Sequence, residues 1–391
     1  MKPVIILSFL IIYTILPCQA NDFSHILKAI EANSPHLAHL NQETTARQSA
    51  LRANNALNGP SVEAGHLWGT HTTGNRIDLS ISQTFDFPIA YGQRRRLTQL
   101  SQNNAQNIYL DQRRQYLLRA KQLCIQAVFC NALIQHLSHD LYDAQALANS
   151  IKKQYENGEA TAIDYHKAEQ SATMFTNEHS QYLTQLETVL ATLRQMNGGH
   201  PVSIPDSLFV HTPLPINFPA WLNRQVETHP AYLLAQGQLL EKKQALKLSK
   251  SLRLPRLSIG YTSEKTRSEH YQGPTLGLSL PLWNSRHLIR AHRRDTVAAR
   301  LACEDTRQEV ITHLTNLYQQ AQRLRKTIDD YTTTFTLHDN NPLLRRSLLH
   351  GQINLITYLQ EIHWNHDMRI KQLQAQCDLE LTIAELTANE L

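Results

Sequence analysis

The chain of 391 residues is poor in the features that mark several common protein classes. It has only 13 glycines, which suits long helices better than a loop-rich fold. Its formal net charge is a mild +5, and no basic patch is interleaved with aromatic residues, so we expect no nucleic-acid partner. After the N-terminus we find no run of about 20 apolar residues, so the sequence predicts no membrane-spanning helix in the mature chain.

Motifs for catalysis and metal binding are equally scarce. The sequence has no nucleophile elbow, no phosphate-binding loop and no convincing acid–base pair, which predicts a protein that is not an enzyme and needs no cofactor. Beyond residue 20 the cysteines form no CxxC pair and no cysteine–histidine cluster with zinc spacing; they are Cys124, Cys130, Cys303 and Cys377. Cys130 falls on an apolar helical seam, where we expect a small buried side chain. The sequence leaves disulfide pairing open.

Residues 1–20 have the features of an export signal. A lysine is followed by an apolar stretch that ends at Leu16, and Cys18-Gln19-Ala20 forms a small-x-small cleavage site. The mature chain would then begin at Asn21. Lipidation of Cys18 is an alternative, which the preceding proline disfavours.

The rest of the chain contains two similar halves. Residues 29–167 correspond to residues 224–360, and prolines and glycines recur at matching places, such as Pro35 with Pro230 and Gly158 with Gly351. We therefore predict a first structural repeat at 21–200, a linker at 201–218 and a second repeat at 219–391.

Each half contains heptad patterns typical of coiled-coil helices. In the first half, apolar and small side chains recur every seven residues from Tyr116 to Ala144. Long helices are predicted at about 89–157 and 283–350, each about 100 Å long at 1.5 Å per residue. Pro342 should bend the second one near its end. Shorter helices are predicted at about 24–57, 161–197, 219–251 and 354–389.

A β-hairpin is predicted between the first short helix and the long helix of each half. Apolar and polar residues alternate strictly from Ile77 to Ser82, and Leu257, Ile259 and Tyr261 keep the same period of two. The four strands are expected at about 60–68, 76–87, 255–264 and 273–282. Their length of about ten residues suits a membrane barrel. A small soluble sheet packed on the helices explains the alternation equally well.

Lipid would impose a further condition on these strands. Four strands cannot close a barrel, because the smallest membrane barrels have eight, and an open sheet edge is not tolerated in lipid. Several chains would have to share one barrel, and three copies supply twelve strands. The predicted fold class is therefore mainly α with a small β part, in which four strands per chain contribute to a trimeric 12-stranded transmembrane β-barrel.

Two kinds of segment carry a family resemblance. QYENGEATAIDYHKAE and LLHGQINLITYLQEI are similar to a Tyr-x-x-Gly turn that is followed by a helix containing Asp. QTFDFPIAYGQRRR and LSLPLWNSRHLIRA are similar to a strand-to-helix passage with an apolar-Pro-apolar step followed by basic residues. With the duplicated order of elements, which covers residues 24–388, the chain resembles the TolC family of outer-membrane efflux proteins. The second passage and the short chain most resemble its CzcC-like metal-efflux branch.

The resemblance implies an assembly and partners. Family members are homotrimers whose shared barrel lies in the outer membrane and whose helices form an α-barrel in the periplasm. A periplasmic adaptor (membrane fusion) protein and an inner-membrane pump of the resistance-nodulation-division class dock with this duct. The chain would thus be a passive exit duct for drugs, metal ions or other solutes, because the pump supplies the energy.

The resemblance also assigns the two helix-to-helix turns to the periplasmic tip that meets the adaptor. The tips are expected at about 155–161 and 348–354, with Asn157-Gly158-Glu159 and His350-Gly351-Gln352 as docking residues. Glycine also suits any reversal between antiparallel helices, because it adopts a positive φ at little cost.

A pore gate is implied just inside the tip, where some family members hold acidic residues that select cations. Asp164 falls on the acidic position of the first repeat. The second repeat has Thr357 and Gln360 at the corresponding places, so the acidic double ring is not preserved. A carboxylate on the helix surface is the alternative reading of Asp164.

Other polar and aromatic residues carry weaker hypotheses. Basic residues follow the last strand of each repeat and predict a solvated collar or a contribution to the pore's electrostatics; they are Arg94, Arg95, Arg96, Arg293 and Arg294. His36 with His39, and His363 with His366, are i,i+3 pairs with the spacing of metal ligands. Trp68 and Trp283 are candidates for a bilayer interface.

A soluble periplasmic coiled-coil adaptor or scaffold is the alternative function from another class. Adaptors usually carry β-rich modules beside the coiled coil, whereas here two short hairpins are each enclosed by helices. Recovery as a soluble monomer would favour the scaffold, and recovery as a detergent-stable trimer in outer membranes would favour the duct.

Overall fold

The computed structural model describes residues 23–53, 55–70, 74–209, 213–281, 285–337 and 341–391. The predicted signal peptide and Trp283 lie outside these residues. The first half contains α1 (Ser24–Asn33), α2 (Pro35–Ala53), β1 (Ser61–Leu67), β2 (Arg76–Phe85), α3 (Pro88–Glu156) and α4 (Ala162–Met196). The second half contains α5 (Phe218–Thr228), α6 (Pro230–Ser251), β3 (Arg256–Lys265), β4 (His270–Ser279), α7 (Ser285–Leu337), α8 (Asn341–Leu349) and α9 (Leu355–Leu386), followed by a 3-10 turn (Ala388–Glu390).

The two halves repeat one order of elements, in which a helix pair is followed by a hairpin, a long helix and a further helix. This order confirms the predicted fold class, which is mainly α with a small four-stranded β part and a duplicated repeat. The long helix α3 runs without interruption over 69 residues.

Each predicted first short helix is in fact a pair of helices. The breaks lie at Ser34 and His229, directly before Pro35 and Pro230. A residue before proline avoids the helical conformation, whereas proline suits the first position of a helix, where its missing N–H is not needed. Nδ1 of His229 accepts a hydrogen bond from the backbone N–H of Ala231. Burial lowers the pKa of His229 to about 4, which keeps the ring neutral and able to accept.

The second long helix was predicted to run to about residue 350 with a bend at Pro342. Helices α7 and α8 cover the described parts of this stretch, and residues 338–340 between them lie outside the described residues. Pro342 is the second residue of α8 as described. The bend at Pro342 therefore stays a prediction.

The two hairpins join into a single antiparallel sheet with the strand order β1-β2-β3-β4. The inner strands come from different repeats, and they pair from Ile77 opposite Lys265 to Phe85 opposite Leu257. Among the described residues β1 pairs only with β2, and β4 only with β3. The sheet is therefore open at both edges within one chain.

The chain divides into two compact units. The first, which we call the sheet unit, contains the described parts of 31–120, 213–323 and 382–391, and thus all four strands. One of its apolar clusters joins the second repeat's helices and the C-terminal segment, through Val226, Val310, Leu314, Leu317 and Leu386. Val310, Leu314 and Leu317 follow one another at steps of four and three residues, as in a heptad pattern.

The second, which we call the turn unit, contains the described parts of 23–30, 121–209 and 324–381. Leu137 and Ala144 of α3 pack with Phe175 of α4 in one of its clusters. Helix α3 contributes its first part to the sheet unit and its second part to the turn unit. One 18-residue stretch of α3 is long and apolar enough to cross a membrane by composition, contrary to our expectation for the mature chain, but 61% of that stretch is buried inside the protein. This burial identifies the stretch as part of a helical core.

All four cysteines beyond residue 20 are buried free thiols. Burial raises the pKa of Cys130 to about 11 and that of Cys124 and Cys377 to about 12. Because the thiolate is the reactive form, these cysteines are chemically inert. This confirms the small buried role that the seam predicted for Cys130.

Gly260 lies close to the backbone of the neighbouring strand. A Cβ atom at this position would lie 2.6 Å from the backbone oxygen of Ile81 and 2.8 Å from Oγ1 of Thr275. We expect Gly260→Ala to lower the free energy of unfolding by about 1–3 kcal/mol, the usual effect of overpacking, as measured by thermal or denaturant unfolding in detergent. Gly273→Ala is the matched control, because nothing lies within 4 Å of a Cβ at that neighbouring glycine. Equal stability of the two variants would contradict the close approach at Gly260.

Candidate functional site

The sheet has one apolar face and one polar face. Directly opposed residues share a face, and the opposed pairs include Val62 with Ile81, Ile81 with Tyr261, and Leu257 with Leu278. The apolar residues of this face are Val62, Ala64, Ile77, Leu79, Ile81, Phe85, Leu257, Ile259, Tyr261, Pro274, Leu276 and Leu278. The same face also carries polar residues, which are His66, Gln83, Ser263, Lys265, His270 and Gln272. The other face carries mainly small polar residues and glycine, among them Ser80, Ser82, Thr84, Ser258, Gly260, Thr262, Thr275 and Gly277.

In the two inner strands the apolar face is the more exposed of the two. Ile81 and Ile259 are exposed, whereas Ser80 on the polar face is intermediate in exposure. In the edge strands residues of both faces are exposed, for example Leu276 and its neighbour Thr275. A sheet in a water-soluble protein normally turns its apolar face to the core. The exposed apolar face here fits a sheet that meets another apolar medium or molecule.

An ion-pair junction connects the sheet to the long helix of the first repeat. The Asp86 carboxylate accepts from Arg94 at 2.6 Å and lies 3.1 Å from Nε of Arg256, the first residue of β3. The Asp86 backbone N–H donates to the Tyr91 hydroxyl. We expected Arg94 to be part of a solvated collar and expected no role for Asp86. Arg94 is instead paired at the end of the inner strands, while Arg95, Arg96, Arg293 and Arg294 are exposed.

The two predicted tip turns have the same backbone geometry. Gly158 has a φ of +78° and Gly351 a φ of +67°. In the first turn Glu159 N–H donates to the Gln154 carbonyl and Gly158 N–H to the Tyr155 carbonyl; in the second, Gln352 and Gly351 do the same toward Ser347 and Leu348. Both sets of bonds form a Schellman motif, in which a residue of positive φ ends the helix.

The tip residues are on the surface in both turns. Asn157, Gly158 and Glu159 are exposed, as are His350, Gly351 and Gln352. A Cβ at either glycine would meet nothing within 4 Å. The glycines are therefore required by the backbone conformation and not by crowding, and the space around them is free.

Asp164 and Thr357 occupy equivalent positions in the two repeats, three residues after the N-cap of the following helix. In the first repeat Thr161 and Asp164 form a capping box, in which each side chain accepts a hydrogen bond from the other residue's backbone N–H. In the second repeat Asn354 Oδ1 accepts from Thr357 N–H at 2.7 Å. Asp164 thus has a local capping role, and this supports the helix-surface reading. Gln360 is exposed one turn further along α9.

A compact apolar cluster lies directly behind both turns. It joins Ala168 of α4 with Leu355 and Leu359 of α9, and partly buried residues of α3 and α8 such as Ile151 and Leu348 pack against it. The helices that flank the first turn are therefore packed against those that flank the second. The two turns lie at the same end of the turn unit.

A buried polar cluster lies farther along the same helices. His366 of α9 is 1% exposed in its side chain, and its Nδ1 lies 3.0 Å from Asp140 of α3 and its Nε2 lies 2.8 Å from Glu178 of α4. The His136 ring stacks on the His366 ring with centroids 5.5 Å apart. Nε2 of His136 is 3.3 Å from the Asp140 carboxylate, yet this buried atom makes no hydrogen bond with the described part of the chain.

The two imidazoles of this cluster are shifted in opposite directions. Burial lowers the pKa of His136, and the neighbouring His366 adds to that effect while Asp140 opposes it. Burial also acts to lower the pKa of His366, but its hydrogen bonds to Asp140 and Glu178 outweigh burial and raise that pKa. The surroundings therefore favour the neutral form of His136 and the charged form of His366.

The histidine pairs named from the sequence do not form metal sites as pairs. His363 approaches Ser171, with 3.1 Å between Nε2 and Oγ, instead of sharing ligands with His366. His36 packs against the ring of Tyr116, and His39 lies 3.9 Å from Glu43. Among the described residues the one group with metal-ligand geometry combines His366 with His136 and Asp140. The local spacing of His136 and Asp140 was a usable signal, but their partner is 226 residues away.

Comparison of the whole chain with solved structures identifies the fold. CusC has a TM-score of 0.80 at 12% identity over 95% of this chain and 92% of that chain, and its structures concern transmembrane channel formation. The CmeC outer membrane channel of Campylobacter jejuni has a TM-score of 0.75 at 11% identity over 94% and 85%. The open MtrE outer membrane channel of Neisseria gonorrhoeae has a TM-score of 0.70 at 12% identity over 94% and 88%.

These similarities confirm the resemblance to TolC-type channels at the level of the fold. Comparison with models of protein families and with the curated proteins finds no match. At such low identity the shared fold does not distinguish one branch from another, so the CzcC-like branch stays a prediction. The three structures are of channel proteins, and the chain shares their architecture along nearly its whole length.

The capping box at the first turn can be tested directly. We expect Thr161→Ala to destabilise the first turn of α4 by about 1 kcal/mol. The substitution removes the hydroxyl that accepts the hydrogen bond of the Asp164 backbone N–H, and the capping box is lost with it. Hydrogen exchange of the amides at residues 161–164 should accelerate about fivefold. Thr176→Ala is the control, since this exposed threonine bonds only to the carbonyl of Ala172 within the same helix. Unchanged exchange in Thr161→Ala would show that Asp164 is not held as a cap residue.

Proposed function

We propose that the protein is the outer-membrane channel component of a tripartite efflux system and acts as a passive exit duct. The observation that carries this proposal is the sheet, whose apolar face is exposed and whose two edge strands lack a second partner within the described chain. The whole-chain similarity to three channel proteins of the outer membrane supports the same reading. In this proposal the helices lie in the periplasm.

The sheet edges argue for assembly of three copies. Lipid offers no hydrogen bonds to unpaired backbone groups, so β1 of one copy must pair with β4 of the next for the sheet to close. Four strands per chain give a closed 12-stranded barrel in a homotrimer. The small polar residues on the other face would line the lumen. Trp68, which is 81% exposed just after β1, would lie at one lipid interface.

The soluble scaffold is the weaker alternative. A water-exposed sheet with Leu276, Leu278, Ile259 and Val62 on its open face would present an apolar patch that promotes aggregation. The solvent exposure of this face is explained by the membrane hypothesis and left unexplained by the scaffold hypothesis.

The orientation of the sheet gives a paired experiment on β4. Leu276 and Thr275 are adjacent and face opposite sides, and all described native cysteines are buried free thiols, so single introduced cysteines can be labelled selectively. We expect a fluorophore at Leu276→Cys to be quenched by brominated lipids in proteoliposomes, and one at Thr275→Cys to be protected. Equal quenching at both positions, or none, would overturn the membrane placement. Light scattering in detergent should give the mass of a trimer.

The two turns are proposed as the periplasmic tip that docks with a periplasmic adaptor protein, which links the duct to an inner-membrane pump of the resistance-nodulation-division class. Their residues Asn157, Gly158, Glu159, His350, Gly351 and Gln352 are exposed at one end of the turn unit. Open space around both glycines leaves room for close approach of a partner's helices. The identical backbone of the two turns would present the adaptor with equivalent contacts in each repeat.

A pore constriction near Asp164, Thr357 and Gln360 is also proposed, but with one charged ring per trimer instead of two. Each copy would supply one carboxylate from the first repeat and neutral groups from the second. Capping by Thr161 holds the Asp164 side chain at the helix start, which limits its reach into a pore. A ring of three carboxylates would give a weaker cation preference than a double ring.

Asparagine substitutions at the two glycines can test docking at the tip without preventing the turns from forming. Asn tolerates the left-handed conformation, so Gly158→Asn with Gly351→Asn keeps both turns and adds two side chains to the free space. We expect this double variant to form the trimer normally and to lose most export activity in cells carrying the cognate pump and adaptor. Gly59→Asn, at another glycine with nothing within 4 Å, is the control. Full export by the double variant would contradict docking at the glycines.

A further inference from the structure

The cluster of His136, Asp140, His366 and Glu178 contains more groups than a simple buried ion pair. Three helices meet there, because the first two residues lie on α3, Glu178 on α4 and His366 on α9. His366 is almost fully buried, and the edge of the Phe175 ring packs against it with the centroids 5.0 Å apart. Its ring is thus held in one orientation from both sides.

The geometry points to a binding site for a transition-metal dication, of which Zn²⁺ is the best example. We propose that His136 Nε2, Asp140 Oδ2 and His366 Nδ1 are its three protein ligands. These three ligand atoms lie within 4.8 Å of one another. Two histidines and one carboxylate with a fourth position for water form a common zinc ligand set.

The measured distances fit a tetrahedral ion. Bonds of about 2.0–2.1 Å to zinc require neighbouring ligand atoms to be about 3.3 Å apart. His136 Nε2 lies 3.3 Å from Asp140 Oδ2, and His366 Nδ1 lies 3.0 Å from the same oxygen. Both distances from Asp140 to its histidine partners are therefore within about 0.3 Å of the tetrahedral value, and the two histidine nitrogens lie within 4.8 Å of each other.

One feature of His136 is not explained by a buried ion pair alone. Its Nε2 atom is buried, faces the carboxylate and has no hydrogen-bond partner in the described part of the chain. A buried polar atom without a partner is unfavourable. A metal ion at this point would bind the Nε2 lone pair of the Nδ1–H tautomer of His136.

Glu178 contacts the other ring nitrogen of His366, which faces away from the proposed metal. Its Oε2 is 2.8 Å from His366 Nε2, so it can hold the Nε2–H tautomer and leave Nδ1 to the metal. A carboxylate behind a metal-bound histidine is a common arrangement. On binding, the ion would replace the Nδ1 proton of His366, which passes to solvent. The carboxylates of Asp140 and Glu178 would balance the ion's two charges, while the guanidinium of the nearby Arg369 opposes it.

A route to the site is present in the turn unit. Asp140 lines a cavity of about 400 Å³ whose other walls include Phe175, Asn341 and Tyr358. Water and a small ion can therefore reach the carboxylate without unfolding the helices.

His136→Gln is the decisive variant, because it removes a ligand that makes no hydrogen bond to lose. The full-length protein, purified in detergent without a histidine tag and stripped with a chelator, would be titrated at about pH 8 with Zn²⁺ against a chromophoric competitor. We expect one zinc per chain, a loss of affinity of at least about 100-fold in His136→Gln, and a loss of about 10–100-fold in Glu178→Gln. His139→Gln, an exposed histidine on the same helix, should bind as the native protein does.

Two further measurements, the unfolding temperature with and without zinc and the effect of Mg²⁺, distinguish a loss of metal binding from a loss of folding. The metal-free His136→Gln protein should unfold at the native temperature, and zinc should raise the midpoint of the native protein and of His139→Gln but not that of His136→Gln. Mg²⁺ should have no effect, because it prefers all-oxygen octahedral sites. The proposal is overturned if no stoichiometric zinc binds, or if His136→Gln binds zinc as tightly as the native chain. Neither result bears on export, so the proposed function stands or falls separately.

Discussion

The main physical constraint on this molecule is a sheet that has an exposed apolar face and unpaired backbone groups along both edge strands. The hairpins of the two repeats pair through β2 and β3, but β1 and β4 are each bonded on one side within the described chain. The face that carries Ile81, Ile259 and Leu276 is turned outward. Water disfavours the exposed apolar face and lipid disfavours the open edges, so one chain by itself satisfies neither medium. The proposed threefold sharing of the sheet meets both conditions at once.

The two repeats build their helix-to-helix turns with the same backbone but with different side chains. Both turns end a helix with glycine at positive φ and restart the next helix with a side-chain cap three residues later. The cap is Thr161 with Asp164 in one repeat and Asn354 with Thr357 in the other. The same backbone is thus made with a carboxylate on one side and neutral groups on the other. This difference is what reduces the proposed gate to a single charged ring.

Polar contacts in the interior connect helices that are far apart in sequence. Asp86 ties the start of α3 to the first residue of β3 within the sheet unit. His366 ties α9 to α3 and α4 within the turn unit. Burying such charges is unfavourable unless each has its partners, so these contacts specify one arrangement of neighbouring elements more than they add stability. Removing one partner would leave a buried charge uncompensated.

The sequence by itself determined the features that depend on local periodicity and on chain geometry. Heptads predicted the helices, a period of two predicted the strands, and the glycines of the two turns marked both reversals, because each pattern reflects the backbone over a few residues. The helix breaks at Ser34 and His229 were missed, since a proline shows where a helix can start but not whether the preceding helix continues into it. Tertiary structure alone decided which face of the sheet is exposed, that Arg94 pairs with Asp86, and that His136 meets His366. The last contact joins helices α3 and α9, which are far apart in sequence, and no local pattern records it.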